Sequence, residues 1–396
     1  MDFALTEEQR AWQIKARKFA EEEIKPITLE RDQIADPVET FTWDIIKRGS
    51  KLGFRTAVLE KARGGPAIDF VTQAIVMAEL ARGDSAISKT FSQCWKWTHV
   101  IQALCTEEQK QRFLPAFLAD DTYVMGSGGT EPGSGSDNRM PPDDPRAGMK
   151  LKAERDGDDW LLNGDKVFIA NGSIAKLFFV QARTDPTVRM ADGITRFLVP
   201  RETPGFRHGK VFNKSGWRFY QNAELIFENA RVPDYLRVGP VNGARKKAAG
   251  DVSGGMFGDL ELAANALGIC DDACEKAIAA VKTREQGGQP LKDQQLIQLK
   301  IGRMKMLTEA LRSYVMRVAW EHDQRIHSAN AGLVMNLSTD TGQEVTDLAL
   351  DIFDCAGASA DRAADKLARD MYIWSHLAGD TVQRLKFGQN IIAQAA

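Results

Sequence analysis

Apolar positions follow a helical period in the first and last parts of the chain. In residues 6–25, Thr6 and Gln9 have the spacing of a capping box, and apolar residues then recur on one helical face. Helical patterns continue to about residue 118 and return from about residue 253. The later ones are long amphipathic segments at 259–283, 291–322, 341–356 and 360–374. These patterns predict two helical regions on either side of a different middle region.

The middle region, from about residue 121, has short β-rich stretches separated by Gly, Asp and Pro. Asn163-Gly164 lies between two apolar runs, which predicts a β-hairpin turn at these two residues. The order helical, β, helical predicts three domains. We expect an N-terminal helical domain at 1–120, a central β domain at 121–240 and a C-terminal helical domain at 241–396.

The composition excludes several classes of protein. Of 396 residues, 52 are Lys or Arg and 54 are Asp or Glu, and the formal net charge of −2 does not fit a nucleic-acid-binding surface. The apolar runs are too short to cross a bilayer and the start MDFALTEEQR lacks a secretory signal, so we expect a cytoplasmic protein without membrane contact. The odd number of cysteines argues against a disulfide framework. Cys270 and Cys274 are expected to pack in the core, and no metal site is predicted.

Residues 126–137, GSGGTEPGSGSD, contain five glycines and three serines. Such a loop lets the backbone approach a ligand closely and exposes N–H groups. No Gly-Lys-Ser/Thr follows it, so the loop does not indicate a nucleoside triphosphatase. A binding loop is therefore expected here, and its ligand has to be inferred from the rest of the chain.

The run TEPGSGSD at 130–137 resembles the Thr-Glu-Pro-Gly-x-Gly-Ser-Asp hallmark of the acyl-CoA dehydrogenases. Other motifs similar to those of this family accompany it in family order along nearly the whole chain. They are FALTEEQ (3–9), CTEEQKQRFLP (105–115), LNGDKVFIANG (162–172), KSGWRF (214–219), FENARVP (227–233), REQGGQP (284–290) and ARDM (368–371). The resemblance implies an α+β multidomain fold: an N-terminal helical domain, a central β-barrel-like domain and a C-terminal four-helix bundle.

The resemblance also implies an activity, the FAD-dependent α,β-dehydrogenation of an acyl-CoA thioester. In that chemistry a carboxylate removes the α proton and the β hydride passes to the flavin. An electron-transfer flavoprotein would then accept the electrons. The subunits would form homodimers or homotetramers, or a heteromer with a related subunit.

Taken residue by residue, the resemblance places Ser127, Gly129 and Thr130 at the flavin ring, with Phe168 against its face. Ser136 would contact CoA. Arg284, Gln286 and Gln295 would reach the FAD phosphates or adenine of a neighbouring subunit. The remaining cofactor-binding candidates are Ala170, Asp351, Gly379 and Thr381.

Several of these positions depart from the family pattern. Ala170 stands where the family usually has a Thr or Ser whose hydroxyl steadies the flavin. The family's Arg-x-x-Phe-Gly becomes Arg284-Glu-Gln-Gly287-Gly288, which loses an aromatic contact. Asp351 and Asp354 place carboxylates where the anionic FAD phosphates would lie, and like charges disfavour binding there.

The largest departure concerns the general base. Aligning HLAGDTVQR (376–384) with the family's base-bearing run puts Leu377 at the usual position of the catalytic Glu. The alternative family position, on the helix after the β domain, is Gly258. Glu261 lies one helical turn from Gly258 and Asp380 lies three residues after Leu377, so both are candidates for the base.

The helix at 84–101 should border the acyl chain in this fold. Its Gln93 and two tryptophans favour a short, polar or cyclic acyl group, with Gln93 as a substrate-binding candidate. Two further hypotheses remain open at this point. One is a changed reaction on the same flavin site, such as elimination or desulfination, and the other is a catalytically degenerate partner subunit or binding protein.

Overall fold

The computed structural model of the chain describes residues 4–138, 143–245, 256–326, 330–353, 362–377 and 381–395. Its first part is helical, and Thr6 forms the predicted capping box with Gln9. The helices are α1 (Glu7–Phe19), which continues through a π-helical turn at Ala20–Ile24, α2 (Lys25–Gln33), α3 (Trp43–Lys51), α4 (Phe70–Gly83), α5 (Ser85–Leu104) and α6 (Glu107–Ala119).

α4 and α5 lie at the centre of the molecule, and most of their residues are buried. Helices that are apolar on most sides are stable only when they are surrounded by other elements. α4 packs against α1 and two C-terminal helices, and α5 packs against α4, a C-terminal helix and the first strand of the middle domain. α5 therefore contacts all three parts of the chain.

The middle of the chain forms an eight-stranded sheet. Its strands are β1 (Met125–Gly128), β2 (Lys152–Asp156), β3 (Asp159–Ile169), β4 (Leu177–Arg183), β5 (Ile194–Pro200), β6 (Phe206–Val211), β7 (Ala223–Pro233) and β8 (Arg237–Val238). The strand order is β6-β7-β3-β2-β4-β5-β8, and β1 pairs in parallel with β4. The predicted order of helical, β and helical regions is confirmed.

The predicted hairpin turn at Asn163-Gly164 is wrong, because both residues lie inside the long strand β3. The turn between β2 and β3 is at Gly157, which has a φ of 62°, and at Asp158. Gly164 instead marks a β-bulge, where the register against β7 shifts. A Cβ at this position would lie 3.2 Å from the Leu151 backbone, so the glycine serves close packing within the sheet.

The last part of the chain is helical again. Its elements are α7 (Met256–Thr283), β9 (Glu285–Gln286), β10 (Gln289–Pro290), α8 (Gln295–Asp323), α9 (Asn330–Ile352), α10 (Arg362–Tyr372), α11 (Trp374–Leu377) and α12 (Thr381–Ala395). The helix predicted at 341–356 begins earlier, at Asn330. Gly332 lies in this early stretch and faces Phe387 of α12 so closely that a Cβ would overlap its ring, so tertiary packing selects a helix there.

Core packing of the two α7 cysteines is confirmed, because Cys270 and Cys274 are buried with free thiols. Burial raises the pKa of both thiols. Within the described ranges no group of three or more His, Cys, Asp or Glu side chains has a metal-binding arrangement. None of the described helices is long and apolar enough to span a bilayer.

The three domains meet at a buried polar junction. Lys366 Nζ lies 2.6 Å from Asp370 Oδ2 and 3.0 Å from Asp84 Oδ2. Asp370 Oδ1 accepts a 2.6 Å hydrogen bond from the backbone N–H of Trp217, whose φ is 50°. Trp217 Nε1 donates to Ser85 Oγ at 2.9 Å. The junction holds a strained middle-domain residue between the N-terminal and C-terminal helices.

His99 on α5 gives the fold a predicted acid sensitivity. Its ring stacks on Phe70 at 5.2 Å and lies 3.1 Å from Gln73 Oε1. Burial lowers the pKa of His99 to about 4, whereas an unfolded His titrates near 6.5. The folded state thus binds this proton more weakly than the unfolded state does. The contribution of the neutral His99 ring to the free energy of unfolding is therefore complete above pH 6.5 and is lost as the pH falls towards 4. Between pH 7.5 and 4.5, we expect the free energy of unfolding to fall by about 2 kcal/mol more in wild type than in His99→Gln.

Urea unfolding of both proteins over this pH range measures the difference. Asp323 accepts the Phe70 and Val71 N–H groups, and burial raises its pKa to about 6. Protonation of Asp323 therefore raises the free energy of unfolding as the pH falls, which is opposite to the effect of His99. Because Asp323 is present in both proteins, its effect largely cancels in the comparison. The prediction would be contradicted if the free energy of unfolding changed equally with pH in wild type and in His99→Gln.

Candidate active site

The glycine loop follows β1 and exposes its backbone on one side. Gly126 is tightly packed, since a Cβ there would lie 2.7 Å from the carbonyl oxygen of Ala170. Gly129 and Gly133 are different, because a Cβ at either position would meet no atom within 4 Å. A loop with this open backbone leaves room for a ligand to approach closely. Ser136 is exposed at the start of the short helical turn Ser136–Asn138.

A buried ion pair holds the backbone of the glycine loop in place. Lys166 on β3 is fully buried, and its Nζ lies 2.7 Å from Glu131 Oε1 and 3.3 Å from the Gly129 carbonyl oxygen. Glu131 also accepts the backbone N–H groups of Lys150 and Leu151. Burial lowers the pKa of Lys166 to about 8, against the attraction of Glu131. Lys166 therefore fixes the position of the Gly129 peptide.

We predict that Lys166→Met lowers the affinity for FAD at least about tenfold, because the Gly129–Glu131 backbone loses its anchor and a buried carboxylate loses its cation. Quenching of flavin fluorescence during titration of the apoprotein measures the affinity. Lys152→Met is a suitable control, because Lys152 is exposed on the neighbouring strand β2. Unchanged affinity in Lys166→Met would contradict the prediction.

Phe168 presents an aromatic face at the surface. Its side chain is 56% exposed, its φ is 55°, and its ring stacks on Phe212 with the centroids 4.0 Å apart. Asn222 Nδ2 donates to the Phe168 carbonyl at 2.8 Å and holds this strained backbone. Ala170, two residues further on, offers no hydroxyl. The exposed ring and the open backbone at Gly129 fit the flavin ring that the sequence resemblance implies.

The C-terminal cofactor candidates lie on the surface of the last domain. Arg284 is half-buried, and its Nη1 donates to the Ile352 carbonyl at 3.3 Å. Gly287 and Gly288 both have positive φ, so they make the tight turn between β9 and β10. Gln286 is exposed on β9, beside this turn. Gln295 begins α8 at an exposed groove of about 540 Å³.

Asp351 does not present an unpaired charge to a phosphate. Its carboxylate is 59% exposed and lies 3.1 Å from Lys300 Nζ on α8. The repulsion expected from the sequence at this position is therefore reduced. Asp354, Gly379 and Asp380 lie outside the described residues, and the side chain of Thr381, the first residue of α12, is also outside them.

Glu261 is the described candidate for the base, and it is fully buried on α7. Its Oε1 lies 2.5 Å from Lys89 Nζ and also accepts a hydrogen bond from Ser92 Oγ. Its Oε2 has no hydrogen-bond partner within the described part of the chain. A buried carboxylate oxygen without a donor calls for an explanation, and a catalytic or binding role is one.

Aromatic side chains close the space around Glu261. Trp374 donates from Nε1 to the carbonyl oxygen of Leu262, the next residue on α7. Its ring meets Trp217 edge-on at 4.8 Å, and Trp217 meets Tyr220 at 5.5 Å. Burial raises the pKa of Tyr220 well above its ordinary value, and the negative charge of Glu261 adds to this shift. The carboxylate therefore sits in a dry environment, where electrostatic interactions are strong.

The two usual base positions hold no carboxylate in this fold. Leu377 is half-buried at the end of α11 and packs against the hydrophobic core. Gly258 lies on α7 beside α5, with Lys96 Nζ 3.1 Å from the point where its Cβ would be. Gln93, one helical turn from Lys89 on α5, is buried and only 3% exposed.

Four residues of this site were not identified from the sequence: Lys89, Ser92, Tyr220 and Lys166. A lysine within a helix is usually on the surface, so Lys89 gave no functional signal. Its only hint was spacing, because Lys89 and Ser92 lie one turn apart on the same face of α5. Their burial depends on α7 covering that face, which the local sequence does not encode.

Comparison with known proteins identifies the family to which the three domains belong. Residues 6–121, 126–230 and 256–392 match the N-terminal, middle and C-terminal domain models of acyl-CoA dehydrogenase. The chain is 32% identical over 382 residues to the short-chain-specific acyl-CoA dehydrogenase of Megasphaera elsdenii, covering 94% of each protein. These findings define a three-domain flavoprotein oxidoreductase.

Two solved structures are similar over almost their full length. Butyryl-CoA dehydrogenase from Megasphaera elsdenii has a TM-score of 0.90 and 30% identity, covering 99% of this chain and 100% of that one. A chain from a study of the electron transferring flavoprotein of Acidaminococcus fermentans and flavin-based electron bifurcation has a TM-score of 0.88 and 30% identity, covering 99% of both. The chain belongs to the acyl-CoA dehydrogenase family, whose members bind FAD and oxidise the CH–CH bond of acyl-CoA thioesters.

Proposed function

We propose that this enzyme dehydrogenates a short acyl-CoA thioester, with Glu261 as the proton acceptor and an electron transferring flavoprotein as the electron acceptor. The observation that carries the proposal is the fully buried Glu261 carboxylate, whose Oε2 has no hydrogen-bond partner among the residues that the structure describes. α5 supplies the partners of Glu261 and also packs against β1, which leads into the glycine loop. The candidate base and the candidate flavin loop are thus connected through one helix.

In the proposed step, the substrate Cα–H bond breaks and its proton moves to Glu261 Oε2. Bound FAD supplies the hydride acceptor for the Cβ hydrogen. Ser127, Gly129, Thr130 and Phe168 would hold the flavin ring, and Ser136 the CoA. The aromatic side chains around Glu261 exclude water, which strengthens the electrostatic interactions that favour proton transfer.

A short acyl group is proposed because large side chains occupy the region between α5, α7 and the middle domain. Trp217 and Trp374, whose rings meet edge-on, are each at most 2% exposed. The polar side chains of Lys89 and Gln93 add to this crowding on the α5 face. The named relatives, which are short-chain-specific and butyryl-CoA dehydrogenases, point in the same direction. A polar or cyclic acyl group remains a prediction from Gln93 and from the two tryptophans of α5, Trp95 and Trp97.

A panel of CoA thioesters tests the proposal. Under anaerobic conditions, substrates should bleach the absorbance of the bound flavin, and C4 to C6 acyl groups should do so faster than C12 to C16 groups. Fastest bleaching by long straight chains would contradict the short-chain proposal. No bleaching by any thioester, with product still formed, would favour the elimination or desulfination alternative, which no present observation favours.

The remaining predictions concern partners and location. The similarity to a chain from the electron transferring flavoprotein study supports that acceptor, and reduction of such a flavoprotein by enzyme and substrate tests it. A homodimer, homotetramer or heteromer with a related subunit stays a prediction, as does a cytoplasmic location. Asp380 stays the second candidate for the base.

A further inference from the structure

The carboxylate of Glu261 is held from one side only. Lys89 and Ser92 lie one helical turn apart on α5, and both contact the same oxygen, Oε1. Asn265 donates to the backbone carbonyl of Glu261 and not to its carboxylate. Among the described residues, the two oxygens of one carboxylate therefore have opposite environments, with two donors at Oε1 and no partner at Oε2.

We propose that Lys89 and Ser92 are positioning residues, which orient the Glu261 carboxylate and present Oε2 as its proton-accepting atom. This inference rests on the proposed function, in which Glu261 is the base. It assigns a role to α5 that goes beyond lining the acyl site. The base is then assembled across two domains, with its carboxylate from the C-terminal domain and its orientation from the N-terminal domain.

The physical reason is the cost of burying an isolated charge. A carboxylate without water is protonated unless a cation or several donors compensate it. The Lys89 ammonium, with a side chain 9% exposed, supplies that charge at 2.5 Å. The Ser92 hydroxyl, on the same oxygen, restricts rotation of the carboxylate. Because Lys89 and Ser92 both donate to Oε1, neither occupies the lone pairs of Oε2, which stay available to the substrate.

The charge on the neighbouring elements is consistent with this role. Lys96, two helical turns after Lys89 on α5, lies beside Gly258 rather than Glu261. From the middle domain, Tyr220 faces Glu261 with a buried hydroxyl that has no hydrogen-bond partner among the described residues. Within the described ion pairs, Lys89 is the cation bound to Glu261.

The test uses the FAD-loaded enzyme and acetyl-CoA as a probe. Acetyl-CoA has α protons but no β carbon, so exchange of its methyl protons in D₂O, followed by NMR, reports proton abstraction without hydride transfer. Lys89→Met should slow this exchange about 100-fold, because the base loses its orientation and its compensating charge. Lys89→Arg should recover most of the rate, and Ser92→Ala should slow exchange about tenfold. KM for butyryl-CoA should stay within about threefold of wild type while kcat falls.

Ser88→Ala is the matched control, because Ser88 is buried on the same helix but donates to the Met77 carbonyl. Its exchange rate should equal that of wild type. Wild-type exchange in Lys89→Met, or equal losses in Lys89→Arg and Lys89→Met, would overturn the proposal. If Lys89→Met does not fold, Ser92→Ala decides, since it leaves the ion pair intact, and an unchanged rate there overturns the proposal.

Glu261→Gln separates this inference from the proposed function. Wild-type exchange in Glu261→Gln would show that Glu261 is not the base, and both proposals would fail. Slow exchange in Glu261→Gln together with wild-type exchange in Lys89→Met and Ser92→Ala would leave the base in place. In that case only the positioning role would be overturned.

Discussion

Glu261→Gln is expected to lower turnover of a short acyl-CoA by about 10²–10⁴-fold, the usual loss when a general base is removed. The amide keeps the shape of the side chain but cannot accept the substrate proton at neutral pH. Steady-state oxidation of butyryl-CoA with an artificial electron acceptor measures the effect. FAD binding should be retained, because none of the candidate flavin contacts changes.

The control for this variant is Glu321→Gln. Glu321 is also a buried glutamate, 5% exposed and paired with Arg317 on α8, but it belongs to a different part of the C-terminal domain. It should keep wild-type turnover. Full activity in Glu261→Gln, alongside an inactive Asp380→Asn variant, would assign the base to Asp380.

Lys366→Met is expected to lower the free energy of unfolding by about 3–5 kcal/mol, the typical effect of removing one partner from a buried ion pair. Although burial disfavours its charge, the carboxylates of Asp370 and Asp84 raise the pKa of Lys366 above its ordinary value. Without the ammonium, two buried carboxylates would face each other uncompensated. Urea denaturation and the thermal midpoint measure the loss.

The matched control is Lys305→Met, which removes a lysine from an exposed ion pair. Lys305 lies 2.6 Å from Glu309 on α8, and both side chains are about half exposed. Water screens this pair, so the expected change is at most about 1 kcal/mol. Similar losses in the two variants would contradict the view that the three-domain junction owes its stability to Lys366.

The sequence was informative wherever a local rule decides the structure. The capping box at Thr6 and the burial of Cys270 and Cys274 follow from short-range preferences, and both are confirmed. Asn163-Gly164 shows where such rules fail, because the same dipeptide that makes a hairpin turn also makes a β-bulge. The choice between them depends on the long pairing of β3 with β7, residues far apart in the chain.

The residues of the candidate site also fall into two groups, those that local sequence rules identify and those that only packing brings together. The glycine loop and Phe168 were identified from motifs, because a binding loop needs special backbone conformations that restrict the sequence. No motif in the sequence identifies Lys89, Ser92 or Tyr220. Their role depends on which side chains the packing of α5, α7 and the middle domain brings together.

By itself, the sequence determined the order of helical and β domains, the family resemblance and the position of a glycine-rich loop, because periodicity and glycine positions are local properties. Only the tertiary structure decided that Lys89 is buried, that it pairs with Glu261 and that no described residue donates to Oε2. These facts depend on contacts across more than 150 residues of chain, as the separation of Lys89 and Glu261 by 172 positions illustrates. Burial turns an ordinary glutamate into a candidate base and an ordinary lysine into its positioning partner, because their charges interact strongly only where water is excluded.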